Sequence, residues 1–164
     1  MAIEVPERPL EAGEFILRAW RPKEAAWYLS ARDEDVFAWT TEARSATRDE
    51  LAATISENNA RPKWVALAIC RGDGTPIGNI SLVPAVGQSG WAEISYWLAP
   101  SGRRRGAATR AVGALVDWAL AEGDFDGVFL KIAPRNAASI AVAVRCGFRE
   151  VGREGDAIRF EKRK

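Results

Sequence analysis

From Arg104 to Glu122 the apolar positions Ala108, Ala111, Val112, Leu115, Val116 and Ala119 recur at offsets of 0, +3, +4, +7, +8 and +11. That spacing places them on one face of a helix, the most regular pattern in the chain. Elsewhere the apolar runs are short and bounded by Gly or Pro, which reads as strands. Phe15 to Trp20 is one, between Gly13 and Pro22. Pro22 suits the first turn of a helix through Ala25, Ala26, Trp27 and Leu29 to Ser30. A second short helix begins at Asp33, with Val36, Phe37 and Trp39 as its apolar side. Thr47 and Glu50 form a capping box for a third, whose buried stripe is Leu51, Ala52 and Ile55.

Lys63 to Cys70 reads as a strand, and Arg71-Gly72-Asp73-Gly74-Thr75 as a hairpin turn into a return strand ending at Pro84. Trp91 to Leu98 is a strand closed by Pro100, and Gly127 to Ile132 another, closed by Pro134. Asn136 to Cys146 reads as a short helix ended by Gly147. Phe148–Gly152 and Ala157–Glu161 are two last strands around a Glu-Gly-Asp turn. The first dozen residues, with Pro6 and Pro9, read as a loose lead-in. These 164 residues make one domain, 1–164, of α/β (α+β) class with hairpins in front and β-α-β-α-β behind.

Composition narrows the chemistry more than the fold. There are 23 basic and 22 acidic residues, so the net charge of +1 advertises neither nucleic acid nor membrane as a partner. No apolar stretch approaches 18 residues, and no basic segment followed by an apolar run opens the chain, so a cytoplasmic domain is expected. Histidine is absent, which removes Ser-His and Cys-His nucleophiles and imidazole metal sites. Cys70 and Cys146 form no CxxC pair, so no metal is expected.

The strand ending at Leu98 runs through Pro100-Ser101-Gly102 into Arg103-Arg104-Arg105-Gly106-Ala107-Ala108-Thr109, where the long helix begins. A strand, a turn of small residues and a helix N-terminus offer free backbone N–H groups and a partial positive charge, a setting for phosphate. Three arginines there oppose their own helix dipole, which points to an anion at that spot. A solvated charged loop is the plain alternative. Neither a Walker loop nor a Rossmann fingerprint is present.

Arg103-x-x-Gly106-x-Ala108 resembles the R/Q-x-x-G-x-G/A acyl-CoA diphosphate loop of the GNAT N-acyltransferase superfamily. Ala92 to Leu98, Ala108-Thr109-Arg110-Ala111, Asn136-Ala137-Ala138-Ser139 and Cys146-Gly147-Phe148 extend the resemblance to the RimJ/RimL-type branch, the ribosomal-protein N-terminal acetyltransferases and their relatives. Leu17-Arg18-x-Trp20 and the Gly78 strand match its front end. The resemblance implies a mixed, splayed sheet of about 6–7 strands flanked by about 4 helices. It implies acetyl-CoA in the splay, with pantetheine pairing along Trp97, Leu98 and Ala99. The diphosphate would lie on the Arg103, Arg104, Arg105, Gly106, Ala107, Ala108 and Thr109 loop, and Asn136 would reach the pantetheine arm. Asn is also a good helix cap.

Direct attack of an amine on the thioester needs a proton acceptor for the amine and a proton for the thiolate. Many relatives carry a Tyr seven residues after the Asn; here that residue is Ala143. Ser139 is the matching hydroxyl in the RimJ/RimL branch, Glu93 the candidate base, where desolvation among Trp and Ile favours proton uptake, and Tyr96 the reserve. Alternation puts Glu93 on a face with Ser95 and Trp97, away from Ile94 and Tyr96. Deprotonating an α-amine of pKa near 8 at pH 7 costs about 1.4 kcal/mol, against about 4.6 for a lysine. A weakly basic acceptor, a peptide N-terminus or a small-molecule amine, is therefore favoured.

Among the seven tryptophans, Trp91, Trp97 and Trp118 read as core. Trp27, Phe37 and Trp39 stand where the family places its acceptor lid and are candidates to clamp an apolar or sugar-like acceptor, with core packing the alternative. Asp33-Glu34-Asp35 reads as a solvated helix start or an attractor for a cation. A non-catalytic acyl-CoA-binding module and nucleic-acid binding through the arginines are competing functions. The chain is expected to be a monomer or homodimer.

Overall fold

The computed structural model describes residues 3–164; Met1 and Ala2 of the lead-in lie outside the described residues. Eight strands form one sheet: β1 (Leu10–Ala12), β2 (Phe15–Ala19), β3 (Val65–Arg71), β4 (Pro76–Pro84), β5 (Trp91–Leu98), β6 (Gly127–Ile132), β7 (Arg149–Glu154) and β8 (Ala157–Arg163). Among the described residues five α-helices accompany them: α1 (Ala25–Ser30), α2 (Glu34–Trp39), α3 (Arg48–Ala60), α4 (Ala107–Ala121) and α5 (Ala137–Arg145). Both counts exceed the expected 6–7 strands and 4 helices. The added strand is β1, inside the segment read as a lead-in. Its three residues carry too little pattern, and pairing with β2, Leu10 against Leu17 and Ala12 against Phe15, makes it a strand.

The sheet order is β1-β2-β3-β4-β5-β6-β8-β7. Every neighbouring pair is antiparallel except β5 and β6, which are parallel. Their ladder has three residue pairs, Trp91 with Gly127, Ala92 with Val128 and Glu93 with Phe129. Beyond it the strands part, and Ile94 to Leu98 stay paired with β4 alone.

The α4 stripe does what its spacing predicts. Ala111, Val112, Leu115, Val116 and Ala119 are fully buried against Ile80, Leu82, Ile94 and Val128, while Ala108 is half-buried. Each large aliphatic residue sealed in this way contributes about 1.5–3 kcal/mol. Trp91, Trp97 and Trp118 are buried, as expected of core residues. On the opposite face α3 is held by its capping box, in which Thr47 Oγ1 accepts from the Glu50 amide and Glu50 from the Thr47 amide. Of its expected stripe only Ile55 is fully buried; Leu51 and Ala52 are half-covered. Ile55 joins Trp20, Ala25, Ala68 and Cys70 in a second core cluster, against which Leu51 and Ala52 pack, so α3 covers this face of the sheet.

β5 leaves no room for a side chain at Gly78, since a Cβ there would lie 2.3 Å from the Trp97 carbonyl oxygen.

Candidate active site

The parting of β5 and β6 opens a cavity of about 790 Å³ that reaches from the splay to the space beneath α1, α2 and α3. That size suits a small-molecule site. Its floor is one face of the sheet: Asn79 and Ser81 on β4, Glu93, Ser95 and Trp97 on β5. Register pairs Asn79 with Trp97, Ser81 with Ser95 and Val83 with Glu93, so these side chains are cross-strand neighbours. Ile94 packs into the α4 core on the other face, and Tyr96 against it. Glu93 and Tyr96 therefore flank β5 from opposite sides.

Tyr96 donates its phenolic hydrogen to Ser139 Oγ at 2.8 Å, so strand and helix α5 meet across the splay. Burial raises the phenol above its ordinary range, partly countered by the Ser139 bond. Ser139 sits in the first turn of α5, where its own amide donates to Asn136 Oδ1 at 3.3 Å. Asn136 is thus the cap of α5; its backbone amide donates to the Ala133 carbonyl, while its side-chain Nδ2 donates to no protein atom among the described residues. Both Asn136 and Ser139 line the cavity.

Glu93 departs from its expected surroundings. Its side chain is about 37% exposed, and Lys131 Nζ on β6 stands 3.5 Å from its carboxylate. The same ammonium is 3.0 Å from Glu154, and that carboxylate and Glu93 raise it above the usual lysine value. An ion pair at a half-open edge, not desolvation among Trp and Ile, defines this carboxylate.

Leu98 pairs with Gly78, and Ala99 donates to the Ile77 carbonyl, which carries the chain into the loop before α4. Arg104 (φ 63°) and Gly106 (φ 74°) adopt left-handed backbone there. A Cβ on Gly106 would meet nothing within 4 Å, so the approach to the helix start is open. Among the described residues no protein group accepts from the amides of Arg104 through Thr109, while the Arg110 amide closes the first turn on Gly106. Arg104, Arg105 and Gly106 are exposed, Ala107 buried, and Ala108 and Thr109 half-buried. Arg103 differs from its neighbours. It forms a bidentate pair with Asp33 at 2.7 and 2.8 Å and lies 3.7 Å from Asp35. Asp33 also caps α2 through the Val36 amide, and Arg103 holds its carboxyl low, at about 2. The acidic run is thus neither a free helix start nor a cation attractor at Asp33.

Of the three aromatics expected at the acceptor, only Trp39 lines the cavity. Trp27 lies behind Trp97, ring centroids 6.4 Å apart at 16°, and Phe37 carries the guanidinium groups of Arg32 and Arg44 on its ring. Tyr28 and Trp64 line it instead. Glu42, just past α2, is a hub that local sequence did not mark. It accepts from Tyr28 Oη at 2.5 Å, Trp97 Nε1 at 3.0 Å and Arg32 Nη1 at 3.0 Å. Asn79 is likewise new, and its Oδ1 accepts from Trp20 Nε1 at 2.9 Å. A charged residue in a loop and an amide inside a strand carry no spacing signal; their partners are distant in sequence.

The two cysteines are free thiols raised by burial, Cys70 to about 11, and Cys146 donates to the Thr109 carbonyl. Among the described residues no group of His, Cys, Asp and Glu is placed to hold a metal ion, and no helix is long and apolar enough to cross a membrane.

A family model described as an acetyltransferase (GNAT) domain matches residues 14–149. No curated protein matches the chain by sequence. Among solved structures, spermidine N-acetyltransferase from Vibrio cholerae in complex with CoA and spermine superposes with a TM-score of 0.80 at 17% identity, covering 92% of this chain and 95% of that one. Mycobacterium smegmatis RimJ in complex with CoA-disulfide gives 0.76 at 22%, covering 95% and 86%. Ribosomal-protein-S5-alanine acetyltransferase from Vibrio fischeri gives 0.79 at 17%, covering 96% and 97%.

Proposed function

Since the chain belongs to the GNAT acetyltransferase domain family, we propose that it moves an acetyl group from acetyl-CoA to a primary amine by direct attack. The observation that carries this reading is the three-pair β5–β6 ladder, beyond which the strands part and the 790 Å³ cavity opens. Solved relatives of the same fold hold CoA, and their named acceptors are as different as spermidine and the alanine of a ribosomal protein. Membership of the RimJ/RimL-type branch is the finer reading, and it rests on the Arg103-to-Ala111 and Asn136-to-Ser139 segments.

In this reading the unpartnered amides of Arg104 through Thr109, with Arg104 and Arg105 beside them, take the diphosphate. Trp97, Leu98 and Ala99 lie along the pantetheine arm, and the spare amide of Asn136 meets it. The acceptor enters beneath α1 to α3, on the face that carries Glu93. Glu93 takes the proton that the ammonium must lose, directly or through water. The amine nitrogen then bonds to the acetyl carbon, the carbon–sulfur bond breaks, and the nitrogen sheds its second proton to water. The thiolate leaves toward α5. Because Tyr96 donates to Ser139, the Ser139 proton points away toward the sulfur; Ser139 supplies that proton, Tyr96 replaces it, and solvent restores Tyr96. The products are an amide and free CoA thiol, with one proton released. Holding the two reactants in one cavity supplies much of the rate, so modest acid–base equipment suffices.

Amine-dependent thiol release from acetyl-CoA tests this reading. CoA binding by calorimetry without thiol release across primary amines would make the chain a binding module instead.

A further inference from the structure

Three charged residues line the cavity, and each has a partner. Glu42 is held by Arg32, whose side chain is 4% exposed, and Glu93 by Lys131, which also pairs with Glu154. No carboxylate there is left to receive a second ammonium, and an unpaired charge brought out of water is costly. A polyamine would enter with its extra charges uncompensated.

What the cavity does offer is neutral hydrogen bonding between aromatic walls. Asn79 is 7% exposed, and its Oδ1 is taken by Trp20, but its two amide N–H groups donate to no protein atom among the described residues. They belong to a side chain that lines the cavity floor. Ser81 and Ser95 stand one register step along the same face and share a single hydrogen bond of 2.8 Å. Two hydroxyls sharing one bond keep one proton and several lone pairs for a ligand. Trp39, 43% exposed, and Trp64 line the same cavity. Polar groups in a row within a cavity that has indole walls match a ring with a hydroxylated edge and apolar faces.

We infer that the acceptor is a monoamine carried on a neutral, hydroxyl-bearing ring, the chemistry of an amino sugar, held by Asn79, Ser81 and Ser95 between Trp39 and Trp64. This rests on the acetyl-transfer reading for its amine, while the ligand's neutral body follows from the cavity alone.

The test is a binding titration of the CoA-loaded protein, followed by tryptophan fluorescence and calorimetry, with D-glucosamine, spermidine and a tripeptide of neutral side chains. Glucosamine is expected to saturate at least tenfold more tightly than spermidine or the tripeptide. Asn79→Ala should remove that preference with CoA affinity kept within twofold. Should loss of the Trp20 bond impair folding, Ser95→Ala on the half-open floor should weaken glucosamine about threefold and leave spermidine unchanged. Equal or tighter binding of spermidine or the tripeptide overturns the inference, as does the absence of saturable glucosamine binding. Glucosamine binding with no thiol release when acetyl-CoA replaces CoA leaves the neutral, hydroxyl-bearing ligand standing and defeats the transfer reading, and with it the ligand's role as acceptor.

Discussion

Tyr96 on β5 and Ser139 on α5, the helix that follows β6, are joined by a 2.8 Å hydrogen bond across the splay. The direction of that bond makes them one proton-donating unit. Groups acting as a unit lose function non-additively. Tyr96→Phe and Ser139→Ala should each lower kcat about 10²-fold or more, and the double variant should fall little further. A product of the two single effects in the double variant would show independent roles.

The buried Tyr96 phenol has a pH signature of its own. The unfolded phenol ionises near pH 10, and burial raises the folded one above that. Its contribution to stability is intact below about pH 10 and is lost as pH rises through the higher folded value. Tyr96→Phe should therefore show a shallower loss of stability than the parent between pH 9 and pH 11, measured by denaturant midpoints. A parallel decline in both would mean that this phenol gains nothing from its burial.

Much of this arrangement was legible before the structure, and the reasons differ by element. The α4 stripe, the Arg71–Thr75 hairpin and the Thr47 capping box are local patterns, and each stands where its spacing put it. Alternation along β5 sorted Glu93, Ser95 and Trp97 from Ile94 and Tyr96. The miss at β1 came from a strand of three residues that pairing alone defines. Trp27 and Trp39 have the same composition signal, yet one packs behind Trp97 and the other faces the cavity. Only the path of α1 and α2 over the sheet decides between them. Arg103 carries the same local signal as its two neighbours, and only Asp33, 70 positions away, sets it apart.

Glu93 faces the acceptor side but shares its charge with Lys131. Glu93→Gln should lower kcat by about 10²-fold or more, at the lower end of what a positioned base contributes. CoA affinity should stay within about twofold, since no diphosphate or pantetheine group depends on this side chain in the proposed pose. An unchanged rate between pH 6 and pH 9 removes Glu93 as the base.

Glu42 serves stability more than chemistry. Glu42→Gln leaves the nearly sealed Arg32 without its counter-charge and weakens the bonds from Tyr28 and Trp97. Removing one partner of a buried pair costs about 3 kcal/mol, which urea denaturation would read as a lower midpoint with an unchanged slope. A change below about 1 kcal/mol would mean that water reaches Arg32 once the carboxylate is gone.

The last prediction separates the arginine loop into two roles. Gly106 stands at an open helix start, whereas Arg103 is tied to the cap of α2. Gly106→Trp fills the approach to the amides and should abolish CoA binding. Gly106→Ala adds only backbone strain, about 1 kcal/mol at a positive φ, and should bind CoA nearly normally. Arg103→Ala should instead change CoA affinity less than threefold and raise the acceptor KM several-fold, because α2 and the cavity-lining Trp39 lose their anchor. The Asp33 side of this anchor has its own pH window. With its carboxyl held at about 2 against roughly 3.9 unfolded, the stabilisation is complete above about pH 4 and disappears as pH falls through 2. At about one-third exposure it amounts to about 0.5–1 kcal/mol. Asp33→Asn keeps the cap but loses the charge, so its stability deficit should be present at pH 7 and shrink steadily below pH 4. A deficit that stays constant down to pH 2.5 would assign the cost to the cap rather than to the bond with Arg103.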